Sequence, residues 1–241
     1  MKKALFKDWP ILSHLALILI IGYLLISVLH LAPTLFGYGQ EGLPLLLATS
    51  LFSVVVFGGG AVWQAFLFSD RPTSFLGLQP YQTDWRKAVL LLLSYAGCLL
   101  AVVLTTKSVK LLLPFLPPAW QEEIDRSGAH YTSLIKEMLQ GGKGWALLAI
   151  AIIPGITEEL FFRGAVLRLM RRVTHNRWHA AVWLTAIVFS IAHLDLMGFF
   201  PRIVLGAYLG YVYYHTRSIY VPMALHVLNN AIALCSLSLD R

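Results

Sequence analysis

Apolar runs alternate along this chain with short polar segments that carry most of its charge. Runs near 10–31, 43–68, 88–106, 144–170, 178–196, 199–215 and 219–238 approach the roughly 20 residues that an α-helix needs to cross a bilayer. They predict an all-α fold, a polytopic transmembrane helix bundle of about seven spans. Met1-Lys2-Lys3 precedes the first run, which has no small-x-small cleavage site and reads as a retained helix. Basic residues mark alternate loops: Lys2, Lys3 and Lys7; Arg71, Arg86 and Lys87; Arg168, Arg171, Arg172 and Arg177; His215 and Arg217. Loops around 38–42 and around Asp195 are poor in Lys and Arg, so the positive-inside rule puts the N-terminus in the cytoplasm and the C-terminus outside.

The segment 107–143 breaks the pattern. It mixes Lys107, Lys110, Glu122, Glu123, Asp125, Arg126, Lys136 and Glu137 with the apolar run 111–116 and the break at Pro117-Pro118. An interfacial amphipathic helix or a solvated connector are the two readings open here. It separates an N-terminal region of helices and interfacial loop, 1–143, from a C-terminal bundle, 144–241. Gly58-Gly59-Gly60, Gly206 and Gly210 are expected to permit close helix contact or a bend.

Composition agrees with a lipid solvent: 58% of residues are hydrophobic and 13% charged, and mean hydropathy is +0.70. A net charge of +7 would suit nucleic acid, but its confinement to inter-helix loops assigns it to membrane topology instead. Cys98 and Cys235 both lie in apolar runs and read as small hydrophobes. The expected setting is multi-pass, in a bacterial cytoplasmic membrane.

Against that background a few residues are out of place. The fourth run contains Pro154-Gly155-Ile156-Thr157-Glu158-Glu159, followed by Arg163. An ionised group at mid-span costs about 2.5–3.5 kcal/mol even on the lenient insertion scale, so each needs a partner or a use. Glu159 and Arg163, spaced i, i+4, can pair on one helix face, which leaves Glu158 projecting about 100° away toward the bundle interior. Pro154 either breaks the helix, with Thr157 as an N-cap, or kinks a continuous one. The fifth run carries Phe189 and, one turn on, His193; the seventh carries His226 and Asn230 on one face. One carboxylate, two imidazoles and an amide from separate helices make a candidate catalytic set, with ionic glue between helices as the bland alternative.

Glu158-Glu159-x-x-x-Arg163, Phe189-x-x-x-His193 and His226-x-x-x-Asn230 resemble, in order and spacing, the three motifs of the CAAX protease and bacteriocin-processing family of intramembrane peptidases. The resemblance covers about 144–237 and implies a catalytic core of about four helices. It implies that Glu158 and His193 activate water, that His226 and Asn230 face the oxyanion, and that Glu159 and Arg163 support the site. Phe189 packs at the motif. The implied substrate is a membrane-associated protein or peptide, lipidated in the prenyl-endopeptidase branch. A metal-independent glutamate mechanism is favoured; in the competing zinc mechanism Glu158, His193 and His226 are the ligands. A non-catalytic immunity or scaffold protein of the same fold, or a proton-coupled transporter, are the rival classes.

Depth along the helices presents a conflict. Counted from the basic loops at 1.5 Å per residue, Glu158 lies roughly 15 Å deep and His193 near 24 Å, with His226 shallower. Convergence then requires tilt or loops of unequal depth, and the expected polar cavity opens toward the basic side.

Overall fold

A computed structural model of the chain describes residues 43–193 and 195–239. The run expected at 10–31 lies outside the described residues. Among the described residues there is no strand, and the elements are α1 Leu43–Phe52, α2 Gly60–Phe68, α3 Pro72–Leu76, α4 Trp85–Leu112, α5 Pro118–Gln140, α6 Lys143–Ala146, α7 Ile153–Glu159, α8 Leu167–Val173, α9 Trp178–Ile191, α10 Phe199–Thr216 and α11 Tyr220–Leu239. π-Helical stretches at Ser53–Gly59, Leu147–Ile152 and Leu160–Val166 join α1 to α2, α6 to α7 and α7 to α8.

The fold is therefore all-helical, but the expected count of about seven spans is not met among the described residues. Four helical runs are long and apolar enough to cross a membrane: Thr49–Phe68, Trp85–Phe115, Lys143–Val173 and Tyr220–Leu237. The run expected at 178–196 yields only the 14-residue α9, because the chain turns at Ala192 and His193. The run at 199–215 does form a helix, α10, of 18 residues, but it carries Arg202 and five tyrosine or histidine side chains and falls short in apolarity.

Local chemistry explains the boundaries. Asp84 caps α4 by accepting a 2.9 Å bond from the Lys87 amide, and that bond holds its exposed carboxyl below the usual carboxylate range. α4 is peripheral: Tyr95 and Cys98 are its buried residues, packed on Leu205, Leu209 and Val212 of α10. Within the 107–143 segment, residues 107–112 extend α4 and Pro118–Gln140 form an amphipathic helix, α5, whose Ile135, Met138 and Leu139 pack with Leu46, Ala149 and Leu234.

α9 and α10 form an antiparallel pair in close contact. A methyl group at Gly206 would lie 3.1–3.2 Å from Phe189 and Ala186, and one at Gly210 would lie 2.9 Å from Val182, as the small-residue reading anticipated. Of the glycine triplet, Gly58 faces Thr157 at an ordinary 3.4 Å.

Pro154 does not break its helix. The run from Lys143 to Val173 is continuous, and its π-helical turns accommodate the ring that an α-helix would drive against the carbonyl four residues back. Thr157 is consequently no N-cap. Its hydroxyl donates to the Ile153 carbonyl at 2.8 Å and meets Ser53 at 2.6 Å, which ties the membrane run Thr49–Phe68 to α7.

Candidate active site

Glu158 and Glu159 sit at the C-terminal end of α7, pointing apart as adjacent helical residues must. Glu159 is fully buried. Its Oε1 lies 2.8 Å from Arg163 Nη1 and 2.9 Å from His226 Nδ1, so one carboxylate oxygen receives both the cation of its own helix and the imidazole of α11. Arg163, only 1% exposed, also donates from Nη2 to the Gly206 carbonyl at 3.0 Å and lies over the Phe189 ring at 5.2 Å. The expected ion pair is present and holds more than itself: α7, α10 and α11 meet on it.

Glu158 faces the other way. Its Oε2 is buried and has no hydrogen-bond partner, with His193 Nε2 at 3.8 Å and His226 Nε2 at 3.9 Å. The ring orientations follow from the opposite nitrogens. His193 Nδ1 is 2.8 Å from the Phe189 carbonyl, and His226 Nδ1 is on the Glu159 carboxylate, so in both rings Nδ1–H donates and Nε2 is turned toward Glu158. Phe189 packs edge-on against both imidazoles, at 4.8 and 5.7 Å between centroids, and against Phe162 at 5.1 Å. It is the wedge that spaces them.

Backbone approach makes this possible. A methyl group on Gly155 would lie 2.6 Å from Val227 Cγ2 and 2.8 Å from its backbone nitrogen, so α7 and α11 touch main chain to main chain one residue from His226. The depth conflict between His226 and Glu158 eases for a related reason. The turn before α11 is drawn inside the bundle, with Ser218 donating to the Gln79 carbonyl at 2.6 Å and Ile219 donating from its amide to Gly77 at 3.0 Å. His226 therefore starts deeper than a count from the loop gives.

His193 lies beyond the end of α9, on the turn opposite the basic start of that helix. Its side chain is 30% exposed and that of Glu158 12%, so the site reaches the exterior at the end of the bundle away from Arg171 and Arg177, not on the basic side as expected. The neighbouring Asp195, which the sequence placed in a plain outer loop, is paired with Arg202 of α10 and accepts from the Met197 amide at 3.0 Å.

Asn230 is one turn from His226, and its Nδ2 donates to the Ile150 carbonyl at 3.5 Å. The structure thus brings Glu158, Glu159, Arg163, Phe189, His193 and His226 into contact, and places Asn230 at the adjoining turn. Ser53 and Arg202 were not anticipated; a polar residue inside an apolar run was the available signal for each.

Residues 140–232 match the family model for Rce1-like type II CAAX prenyl endopeptidases. That segment contains all three motifs, in agreement with the resemblance read from them; the family it matches is one of proteases, and the apolar helical runs make this a multi-pass membrane protein. No curated protein and no solved structure matches the chain.

Proposed function

We propose that this protein is an intramembrane endopeptidase that hydrolyses a peptide bond in a lipidated or membrane-associated substrate, with Glu158 activating the attacking water. The observation that carries this is the single oxygen, Glu158 Oε2, buried without a hydrogen-bond partner and faced by two imidazole Nε2 atoms at 3.8 and 3.9 Å. Three acceptors turned on one point call for a species that donates or is cationic. A water there donates one proton to Glu158 and the other to an imidazole, keeping an oxygen lone pair for attack.

The reaction then runs on these residues. Glu158 takes a proton as the water oxygen bonds to the substrate carbonyl carbon. The carbonyl electrons move onto oxygen; as they return to re-form the carbonyl and the C–N bond breaks, the proton held by Glu158 passes through His193 Nε2, on the accessible edge, to the leaving nitrogen. Asn230 is assigned to the oxyanion, its 3.5 Å bond to Ile150 being long enough to exchange for a charged acceptor, and His226 joins it as a donor once its Nε2 carries a proton. Glu159, held by Arg163, fixes the His226 ring.

A second reading rests on the types of donor alone, since no three His, Cys, Asp or Glu side chains among the described residues are arranged to hold a metal ion. One carboxylate and two imidazoles, each ring donating its other N–H to an oxygen, is the chemistry of a three-ligand zinc site. Glu158, His193 and His226 would hold such an ion, which would supply a more acidic bound water. Their spacing of 3.8–3.9 Å exceeds the about 3.3 Å edge of a tetrahedral zinc site and suits hydrogen bonds to a bridging water better.

The test uses purified protein in liposomes with a prenylated C-terminal peptide and with unprenylated controls, read by mass spectrometry. Glu158→Gln is expected to cut cleavage by about 10²–10⁴-fold at unchanged thermal stability. Cleavage by that variant at the wild-type rate refutes the assignment. Dialysis against chelator, with and without added zinc, separates the two readings: retained turnover selects the hydrogen-bonded water, and loss restored by zinc selects the ion.

A further inference from the structure

At the opposite end of the bundle three arginines converge where no catalytic role reaches them. Arg168 and Arg171 are in the last turns of the membrane run Lys143–Val173, and Arg217 follows α10. Trp178 lies between two of the guanidinium groups, with Arg171 at 4.0 Å and Arg217 at 4.9 Å from its ring centre. Arg168 is over Phe75 at 4.9 Å, and its Nη2 donates to the Ser74 carbonyl at 2.9 Å. These contacts orient the three groups and leave most of their charge uncompensated. The ion pairs found among the described residues include none of the three.

Two cavities flank them. One of about 280 Å³ runs toward Gln64 and Asn176, the other of about 230 Å³ toward Gly77 and Arg217, and Arg168 and Arg171 wall both. Nε of Arg168 and Nε of Arg171 are buried there with no hydrogen-bond partner. Buried guanidinium donors without acceptors are costly, and water or an anion must answer them.

The backbone is strained in the same place. The described non-glycine residues with left-handed φ are His175 at 50°, Asn176 at 64° and Arg217 at 56°, all at the ends of the helices around these cavities. Asn176 uses its side chain to hold Arg171 Nη2 at 3.2 Å. Arg217 occupies the position after a helix where glycine is the usual residue, so its side chain is retained against a backbone preference.

The geometry points to a binding site for the phosphate group of an anionic lipid headgroup, held in the smaller cavity by Arg168, Arg171 and Arg217. Guanidinium forks match phosphate oxygens, and a tryptophan stacked against arginines that end the membrane-length run Lys143–Val173 fits headgroup depth. The cavity is smaller than the ~300–1,000 Å³ of drug-sized sites, and suits a phosphate with its glycerol linker, the acyl chains remaining in the bilayer.

Native mass spectrometry of the full chain in detergent, with phosphatidylglycerol or phosphatidylcholine added at equal concentration, tests this. Wild type is expected to retain the anionic lipid preferentially, and Arg171→Gln and Arg217→Gly each to weaken that retention about fivefold. Arg217→Gly relaxes the backbone while removing the charge, so its thermal stability is expected to match or exceed wild type, which keeps the test readable if Arg171→Gln fails to fold. Equal retention of the two lipids by wild type, or wild-type retention by Arg217→Gly, overturns the site. Inorganic phosphate at the lipid's concentration is expected not to displace it; complete displacement overturns the headgroup assignment in favour of a free-phosphate site.

Discussion

Gly155 and Val227 are in main-chain contact: a Cβ on the glycine would lie 2.8 Å from the valine nitrogen and 3.0 Å from its Cα. The helix carrying both glutamates and the helix carrying His226 are thereby held at backbone distance.

Replacing Gly155 with Ala is predicted to force α7 and α11 apart, since two of the three obstructing atoms are backbone and the third, Val227 Cγ2, belongs to a stiff β-branched side chain. Overpacking of this kind costs about 1–3 kcal/mol, and a shift near 1 Å at the reacting groups costs about 100-fold in rate. A modest fall in melting temperature with a disproportionate fall in kcat is the expected pattern. Unchanged kcat would show that the close approach is dispensable.

Breaking the buried ion pair from one side should be worse than removing it entirely. Arg163→Met leaves Glu159 buried with only His226, and is predicted to destabilise by about 3–5 kcal/mol. The double variant Arg163→Met/Glu159→Gln is predicted to recover much of that stability without recovering activity, because a neutral amide no longer fixes the His226 ring as a carboxylate does. Denaturation and cleavage measured on all three variants separate the two effects.

Phe189→Ala removes the ring that both imidazoles and Arg163 lean on. A cost of about 3–5 kcal/mol is expected for a fully buried aromatic. Phe189→Leu refills most of the volume and should regain stability more than activity, which thermal unfolding and cleavage on the same preparations will compare.

Asn230→Ala is predicted to lower kcat about 10²–10³-fold with KM little changed if its amide reaches the oxyanion. A stability loss alone, with kcat preserved, would confine Asn230 to its bond with the Ile150 carbonyl.

Much of the site was legible because a membrane makes charge conspicuous. Glu158, Glu159, Arg163, His193 and His226 stand out in apolar runs, and the i, i+4 spacing of Glu159 and Arg163 is a helical relation that needs no tertiary information. The span count was less legible. Hydropathy does not register that α9 stops at Ile191, where a turn carries His193 back toward the bundle, nor that α10 shields Tyr208 and Tyr213 against neighbouring helices. The choice at Pro154 stayed open for a similar reason: a proline signals a break or a kink locally, and the sequence does not show that π-helical turns carry the chain through it.

By itself the sequence determined that the chain is a helical membrane protein and which side chains are too polar for lipid without a purpose, since both follow from transfer energies and a 3.6-residue period. Only the tertiary structure decided which nitrogen of each histidine faces Glu158, that Glu159 rather than Glu158 holds His226, and that the site reaches the exterior away from the basic loops. Those depend on helix depth and on the contact of Gly155 with Val227, which arise from packing between segments some seventy residues apart and leave no periodicity within either.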